Sequence, residues 1–533
     1  MDDLGNRKID PDRALEKLGV WGRYQLFVFS LANASWFFAA FQMMCMAFLA
    51  NKPAFDCRSQ NEQNTSIALW QSRCQLADTV TGELIACGLN GTYLHFDRSS
   101  GHSVAAEFKL VCERTFLKEF VSSLFMFGIM IGALVIPQMA DRFGRRTCLL
   151  PSCWLMFLSA CLTAVAPTFP IFAVSRFVTG FCYGATICVG VILACESVAP
   201  GLRAYVTVFM GLFWTTGYCL LGLVAYLFRN WREFMFVCSL PLLLSVSYYW
   251  LLPESLHWSV ANNRRQQAVR WLERAAKVNR VSLQPSDCLQ PLQPVVTSPP
   301  KRNLLHLLSN RVLLIQTLIS GYLWMCNTFI YYGLSLFSTS LAGDQFINFV
   351  LSGVVEAPAY FSAAPLMNKF GRRISIAFFH AMAGLSLLIL MFIPSATESG
   401  VSLVPLITGL WLLGKFAITF TFASIFVYGA EIFPTTVRSA GLGLCNVGAR
   451  LGGIVAPYAR SMAELSVYLP PTLFGCSSLV AAALTLFLPE TMNRPLPEDI
   501  DRLPTDTAFS PSRKPYLCDA ESADQTMIPL AES

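Results

Sequence analysis

Five ionisable residues, Glu119, Arg176, Glu356, Lys415 and Arg450, stand inside or at the ends of long apolar runs. A charge at bilayer depth is costly, so such residues pair with a neighbour or line the path of a polar cargo. Glu356 comes two residues before Pro358, which loosens a helix. Arg450 lies in Gly448-Ala449-Arg450-Leu451-Gly452-Gly453, where glycines permit close approach. These two are the candidates for contact with cargo, a carboxylate for a cation and a guanidinium for a carboxylate. Arg176 and Lys415 are each followed by Phe beside glycines suited to packing, and the expectation for both is a structural pair. Trp324 and Tyr331, seven residues apart, share one helical face, with Tyr332 adjacent. Such a stripe is core packing or a cation-binding aromatic wall, each ring contributing roughly 0.5–2 kcal/mol to a cation.

Elements able to position these residues must cross a membrane. The chain has 533 residues, 54% hydrophobic and 14% charged, with a mean hydropathy of +0.50. Soluble domains carry about 25% charged residues. The fold class expected is an all-α polytopic membrane protein with the lipid bilayer as its solvent. The net charge of +6 is spread over short loops, which speaks for membrane orientation and against nucleic acid as a partner. No cleavable signal peptide is evident, and the first apolar run, 24–50, is expected to double as the insertion signal.

The chain is written twice. Asp141-Arg142-Phe143-Gly144-Arg145-Arg146 is echoed by Asn368-Lys369-Phe370-Gly371-Arg372-Arg373, Glu196…Arg203 by Glu431…Arg438, and Pro253-Glu254-Ser255 by Pro489-Glu490-Thr491. Three signals at nearly one spacing predict two equivalent halves. Gly144 and Gly371 permit tight turns. The arginines are expected to pair with Glu196, Glu254, Glu431 and Glu490 as a cytoplasmic latch that breaks on opening, together with Asp141, Arg142, Arg203 and Arg438. Because Asn368 replaces Asp141, the first copy is expected to carry more of the energy.

Twelve spans follow: 24–50, 116–140, 148–166, 169–194, 204–228, 234–252, 311–338, 346–367, 374–393, 402–428, 437–458 and 465–488. They divide the chain into a first half, 1–252, a basic helix and Pro-rich linker, 253–310, a second half, 311–489, and a polar tail, 490–533. Between spans one and two a polar loop, 51–115, carries Cys57, Cys74, Cys87 and Cys112 and the sequons at Asn64 and Asn90. Four cysteines with sequons predict an oxidised, glycosylated extracellular loop with two disulfides, in any of three pairings. The loop also offers an oligomer contact. Lys and Arg concentrate on the opposite side, Arg229 and Arg232 being the clear exceptions, so both termini are expected in the cytoplasm.

Twelve spans in two halves, with the Asp141–Arg146 motif between spans two and three, resemble the major facilitator superfamily, where substrate sits at the midplane between halves. The Cys-containing loop, Phe108-Lys109-Leu110-Val111-Cys112-Glu113 near its end, Pro253-Glu254-Ser255, and Pro489-Glu490-Thr491 with Pro495-Leu496-Pro497-Glu498 resemble the organic cation, anion and zwitterion transporters, solute carrier family 22. That resemblance spans about residues 19 to 503 and implies plasma-membrane transport of small organic ions. It implies an aromatic cage, with Trp324, Tyr331 and Trp214 on three of its positions. It implies an acid at Glu356, and at Arg450 the arginine of anion and carnitine-type relatives, where cation-selective ones carry Asp. Ala39 and Tyr183 depart from the Asn and Gln associated with sodium in carnitine-type relatives.

A sugar porter is the nearest alternative, since Gln316 and Asn327 resemble part of its span seven. A non-transporting receptor-like homologue is another. An enzyme is not expected. The five histidines show no metal-ligand spacing and no nucleophile–base pair, and no phosphate-binding glycine loop occurs, so neither metal, cofactor nor ATP is implied.

Overall fold

In the bilayer core every backbone polar group must be satisfied inside its own element, so long apolar runs become helices. The computed structural model describes residues 9–49, 55–59, 75–77, 84–86, 92–96, 102–283, 307, 309–394, 396 and 401–493. Among them, ten helical stretches are long and apolar enough to cross a membrane: Arg23–Leu49, Cys112–Phe143, Arg145–Val165, Phe169–Glu196, Val206–Leu227, Trp231–Leu251, Arg311–Ser340, Gln345–Phe370, Arg372–Phe392 and Val404–Ile432. They are spans one to ten. Arg438–Val455 and the shorter Leu469–Thr485 stand at the places expected of spans eleven and twelve.

Two spans are interrupted. Span six passes from Trp231–Ser239 through a 3₁₀ stretch, Leu240–Ser247, to Tyr248–Leu251, with Pro241 at the junction. Span eight breaks into Gln345–Val354 and Glu356–Phe370. Pro358 has no N–H to offer the carbonyl of residue 354, four positions back, so the ladder fails there and Glu356 opens the second segment.

Within the first half span two lies along span four and span three beside it; within the second, span seven lies along span eleven and span nine along span twelve. Span eleven approaches span seven so closely that a Cβ on Gly452 would collide with the Met325 carbonyl. Between halves, span two meets span eleven and span five meets span eight.

The polar loop contains two antiparallel ladders, β1 (Phe55–Ser59) with β4 (Thr92–Phe96) and β2 (Gln75–Ala77) with β3 (Leu84–Ala86). Among the described residues these strands, with an isolated bridge between Ala396 and Ser402, depart from the expected all-helical chain. Cys112 is disulfide-bonded and Cys57 lies on β1. Asn64, Asn90, Cys74 and Cys87 lie outside the described residues. At the foot of the loop, Glu107 accepts from Trp231 Nε1 at 2.7 Å and from Arg232, which also donates to the carbonyls of Ala164 and Ala166. Arg229 lies 4.4 Å from the Phe346 ring. Both arginines that departed from the charge rule are thus engaged locally.

The basic surface helix is Arg265–Asn279. Its apolar stripe, Ala268, Trp271, Leu272 and Ala275, packs on Ala14, Leu15 and Leu18 around the short helix Pro11–Lys17. The linker from residue 284 to 306 and the tail beyond 493 lie outside the described residues.

Candidate functional site

The two ends of the bundle are different in kind. At the end that carries the duplicated motif, Gly144 has φ +114° and Gly371 φ +90°. A Cβ at either would also meet a carboxylate, Glu254 in the first half and Glu490 in the second. Glu254 Oε1 accepts from the backbone N–H groups of Arg145, Arg146 and Ser255 at 2.8, 3.0 and 3.0 Å. Glu490 accepts from those of Arg372 and Arg373 at 2.9 and 3.0 Å. A carboxylate there caps orphan N–H groups and complements the positive helix end. Arg145 holds Glu196 through two bonds of 3.2 and 3.1 Å, and Arg372 holds Glu431 through two of 3.2 and 3.3 Å. Arg145 also reaches Asp141 at 2.9 Å.

Every one of these pairs lies within one half. Among the described residues no hydrogen bond or ion pair joins the two motif ends to each other. The contacts between halves lie at mid-depth and toward the loop end. They include Ser123 donating to the Ile454 carbonyl at 2.6 Å, Tyr218 stacked on Phe349 at 4.2 Å, and Phe48 stacked on Phe346 at 5.5 Å. Another is Tyr360 of span eight, whose ring covers Gly211 of span five. The molecule is therefore closed at its loop end. The motif pairs, expected to break as the motif end opens, stand intact in this structure, each within its own half. Arg203, named with the latch residues, meets Asp12 and His257.

The centre holds one connected polar network in an apolar surround. Trp214 Nε1 donates to the Tyr331 hydroxyl at 2.7 Å, and that hydroxyl donates to Glu356 Oε1 at 2.7 Å. Lys415 Nζ lies 2.8 Å from the same oxygen, 2.6 Å from Ser335 Oγ and 3.3 Å from the Tyr331 ring centroid. Glu356 and Lys415 are both 0% exposed. Neither charge would survive burial without the other, and removing one partner of such a pair costs about 3–5 kcal/mol. Lys415 is the structural pair expected of it, but its partner is Glu356, the residue expected to stand free for cargo. Glu356 Oε2 lacks a hydrogen bond.

Arg450 is placed differently. It forms no ion pair and no side-chain hydrogen bond among the described residues, and its buried Nε has no partner. It lies within electrostatic reach of Tyr183 and Tyr332, and Tyr332 is within reach of Glu356 as well. Trp214, Tyr331 and Glu356 thus come together, with Arg450 beyond Tyr332. Trp324 does not join them: it packs with Phe433, Cys445 and Ala449 and edge-on to Phe426 at 4.5 Å. Tyr218, Ser335 and Tyr360 carry no signal of a site role in the sequence, and Tyr332 stands out there only as the neighbour of Tyr331. Only a helical projection of spans five, seven and eight onto a common axis could have found them. Asn327, the sugar-porter signal, is consumed internally: it donates to the Leu323 carbonyl, accepts from Thr421 and meets His380 at 3.2 Å. Arg176 donates to the Gln42 carbonyl at 3.0 Å and stacks 4.3 Å from Phe125.

Two pseudo-equivalent six-span halves around a buried midplane network define a major facilitator transporter. Residues 85–503 match the family described as sugar (and other) transporter. The chain is 33% identical to the organic cation transporter protein of Drosophila melanogaster over 92% of its own length and 94% of that protein's. It is 30% identical to human organic cation/carnitine transporter 2, covering 93% and 94%. Among solved structures, the partially occluded inward-open xylose transporter XylE from E. coli shares the fold at TM-score 0.59 and 16% identity, over 88% and 98% of the two chains. The chain belongs to solute carrier family 22, the organic ion transporters of the major facilitator superfamily.

Proposed function

We propose that this transporter moves small organic ions bearing a carboxylate, anions and carnitine-like zwitterions, by alternating access in the plasma membrane. The loop then lies outside and both termini inside. One observation carries the substrate class: Glu356 is already neutralised by Lys415, whereas Arg450 has no ion-pair partner among the described residues. The positive charge of Arg450 is therefore left uncompensated among the described residues. The Tyr331 face that would receive a cargo ammonium is covered by Lys415 Nζ. A simple cation would have to displace a protein cation from both its carboxylate and its ring. A carboxylate needs only to meet Arg450, which offers a two-pronged donor set. The human relative's name, organic cation/carnitine transporter 2, agrees with a zwitterion. Proteins of this fold bind at the midplane and rock two halves about it, and the closed loop end is one limb of that cycle.

The test is uptake of p-aminohippurate, carnitine and tetraethylammonium, with and without sodium, by the wild type and Arg450→Ala. Uptake of the first two is expected to fall at least about tenfold in the variant, roughly 1.4 kcal/mol of lost recognition, with tetraethylammonium unaffected. Equal loss of all three would refute the assignment. Glycosidase shifts that vanish in Asn64→Gln and Asn90→Gln, read on surface-labelled protein, check the sidedness.

A further inference from the structure

The central network contains a complete seat for an ammonium group, and a side chain of the protein fills it. A lysine ammonium has three N–H donors and no acceptor. Lys415 Nζ finds an acceptor for each: Glu356 Oε1 at 2.8 Å, Ser335 Oγ at 2.6 Å and the Tyr331 ring, whose centroid lies 3.3 Å away. Each acceptor is held from behind. Ser335 Oγ donates its own proton to the Tyr331 carbonyl at 2.7 Å, which leaves its lone pairs for the ammonium. Glu356 Oε1 also accepts from the Tyr331 hydroxyl, which in turn accepts from Trp214 Nε1, both at 2.7 Å. The Tyr331 ring leans on Phe422 and Tyr332, with centroids 5.3 Å away in both cases. Glu356 Oε2 is buried without a hydrogen bond, so the protein does not saturate the carboxylate. The hydrogen-bonding walls stand on spans five, seven and eight, whereas the occupant reaches in from span ten.

We propose that Lys415 is a tethered ammonium in a latent primary-ammonium site, and that it is the residue that keeps cationic cargo out of the centre. A tethered group competes at a high effective concentration. A free ammonium would have to displace it from carboxylate, hydroxyl and ring together. The same charge cancels Glu356, which would otherwise repel a carboxylate, and this last consequence rests on the carboxylate reading above.

The test is chemical rescue. Lys415→Ala removes Cγ, Cδ, Cε and Nζ, the heavy atoms of propylamine, which is protonated at neutral pH as lysine is in water. The purified variant is titrated with propylammonium chloride against sodium chloride of equal ionic strength, and thermal unfolding is followed in detergent. A dose-dependent rise of at least about 2 °C is expected, with wild type moving by less than about 1 °C and Lys415→Ala/Glu356→Gln no more than wild type. No rise in Lys415→Ala, or an equal rise in wild type or the double variant, would overturn the seat. If Lys415→Ala does not accumulate, expression with propylammonium in the medium decides: recovered surface protein supports the seat and continued absence overturns it. Selectivity is read by uptake of tetramethylammonium, which cannot cross as a neutral amine. Uptake should rise at least about fivefold in Lys415→Ala, and a value within about twofold of wild type would overturn the exclusion of cations. The thermal arm uses no cargo and leaves Arg450 untouched. A failed seat therefore shows as no amine response, and a failed carboxylate reading as equal loss of the three substrates in Arg450→Ala.

Discussion

At the motif end of the first half, Arg145 clasps Glu196, Glu254 gathers the N–H groups that open span three, and Gly144 turns with positive φ. At the motif end of the second half, Arg372, Glu431, Glu490 and Gly371 do the same with distances that differ by about 0.2 Å or less. The resemblance stops at the margin. Arg203 of the first half donates to the Cys195 carbonyl and to Asp12, which also meets His257 at 2.8 Å. Its counterpart Arg438 donates to the Phe433 carbonyl, and its buried Nη2 has no partner among the described residues. The first half is thus tied to the N-terminal helix and the second is not so tied. What both copies keep is what the turn itself requires: a residue without Cβ, a carboxylate on the helix start, and a guanidinium bridging two helix ends. What differs is attachment to the chain's own extensions.

Four measurements would break or sharpen this comparison. The largest effect is expected from Gly144→Ala and Gly371→Ala, which add both backbone strain and a collision with a carboxylate. Each should cost at least about 1–3 kcal/mol, read as a lowered thermal unfolding midpoint in detergent. A cost in only one half would show that the two turns are not equivalent. Next come Glu254→Ala and Glu490→Ala, which strand several N–H groups at a helix start. A loss of about 1–3 kcal/mol is expected from each, again by thermal unfolding, and a difference larger than that between halves would contradict the shared geometry.

Asp141→Asn imitates the second copy. The Asp141 side chain is 70% exposed, so its pair with Arg145 is screened and worth under about 1 kcal/mol. Little change in stability is expected, and initial uptake rates should stay within about twofold. A large loss would restore the view that the first copy carries more energy because it keeps its Asp.

The smallest effect concerns Asp12. Burial pushes its carboxyl upward, but the hydrogen bonds and charges of His257 and Arg203 outweigh this and hold it below the ordinary value. A depressed folded value means that the unfolded chain binds the proton more readily. The contribution is therefore full above about pH 4 and is lost as pH falls through the folded value. The stability gap between wild type and Asp12→Asn should be constant from pH 5 to 8 and shrink below pH 4, and a gap that instead grew on acidification would contradict the sign.

Much of the architecture was legible in the residues. Apolar runs of about 20 residues can only be helices in a bilayer, and the repeated hexapeptide divided them into halves. The helix starts Arg311, Phe116 and Phe169 fall where hydropathy and turn signals put them. The break in span eight was half legible, because Pro358 announced a weak point without saying where the ladder would fail. The site was legible as a set of residues but not as a set of partners. Glu356, Lys415, Tyr331 and Trp214 come from spans eight, ten, seven and five, and nothing in one sequence says that four separated helices point them at one spot. The partner of Arg203 was hidden for the same reason: Asp12 lies 191 residues away.

The sequence by itself determined that the chain spans a membrane, that it is a duplicated bundle, and which ionisable residues are too costly to be there by accident. It did so because hydrophobic length and the cost of a buried charge act on each residue locally. Only the tertiary structure decided that Lys415 cancels Glu356 while Arg450 has no partner among the described residues, and that the motif pairs close within halves. Coulombic attraction in an apolar interior depends on distances of a few ångströms between separate helices, and packing alone sets those distances.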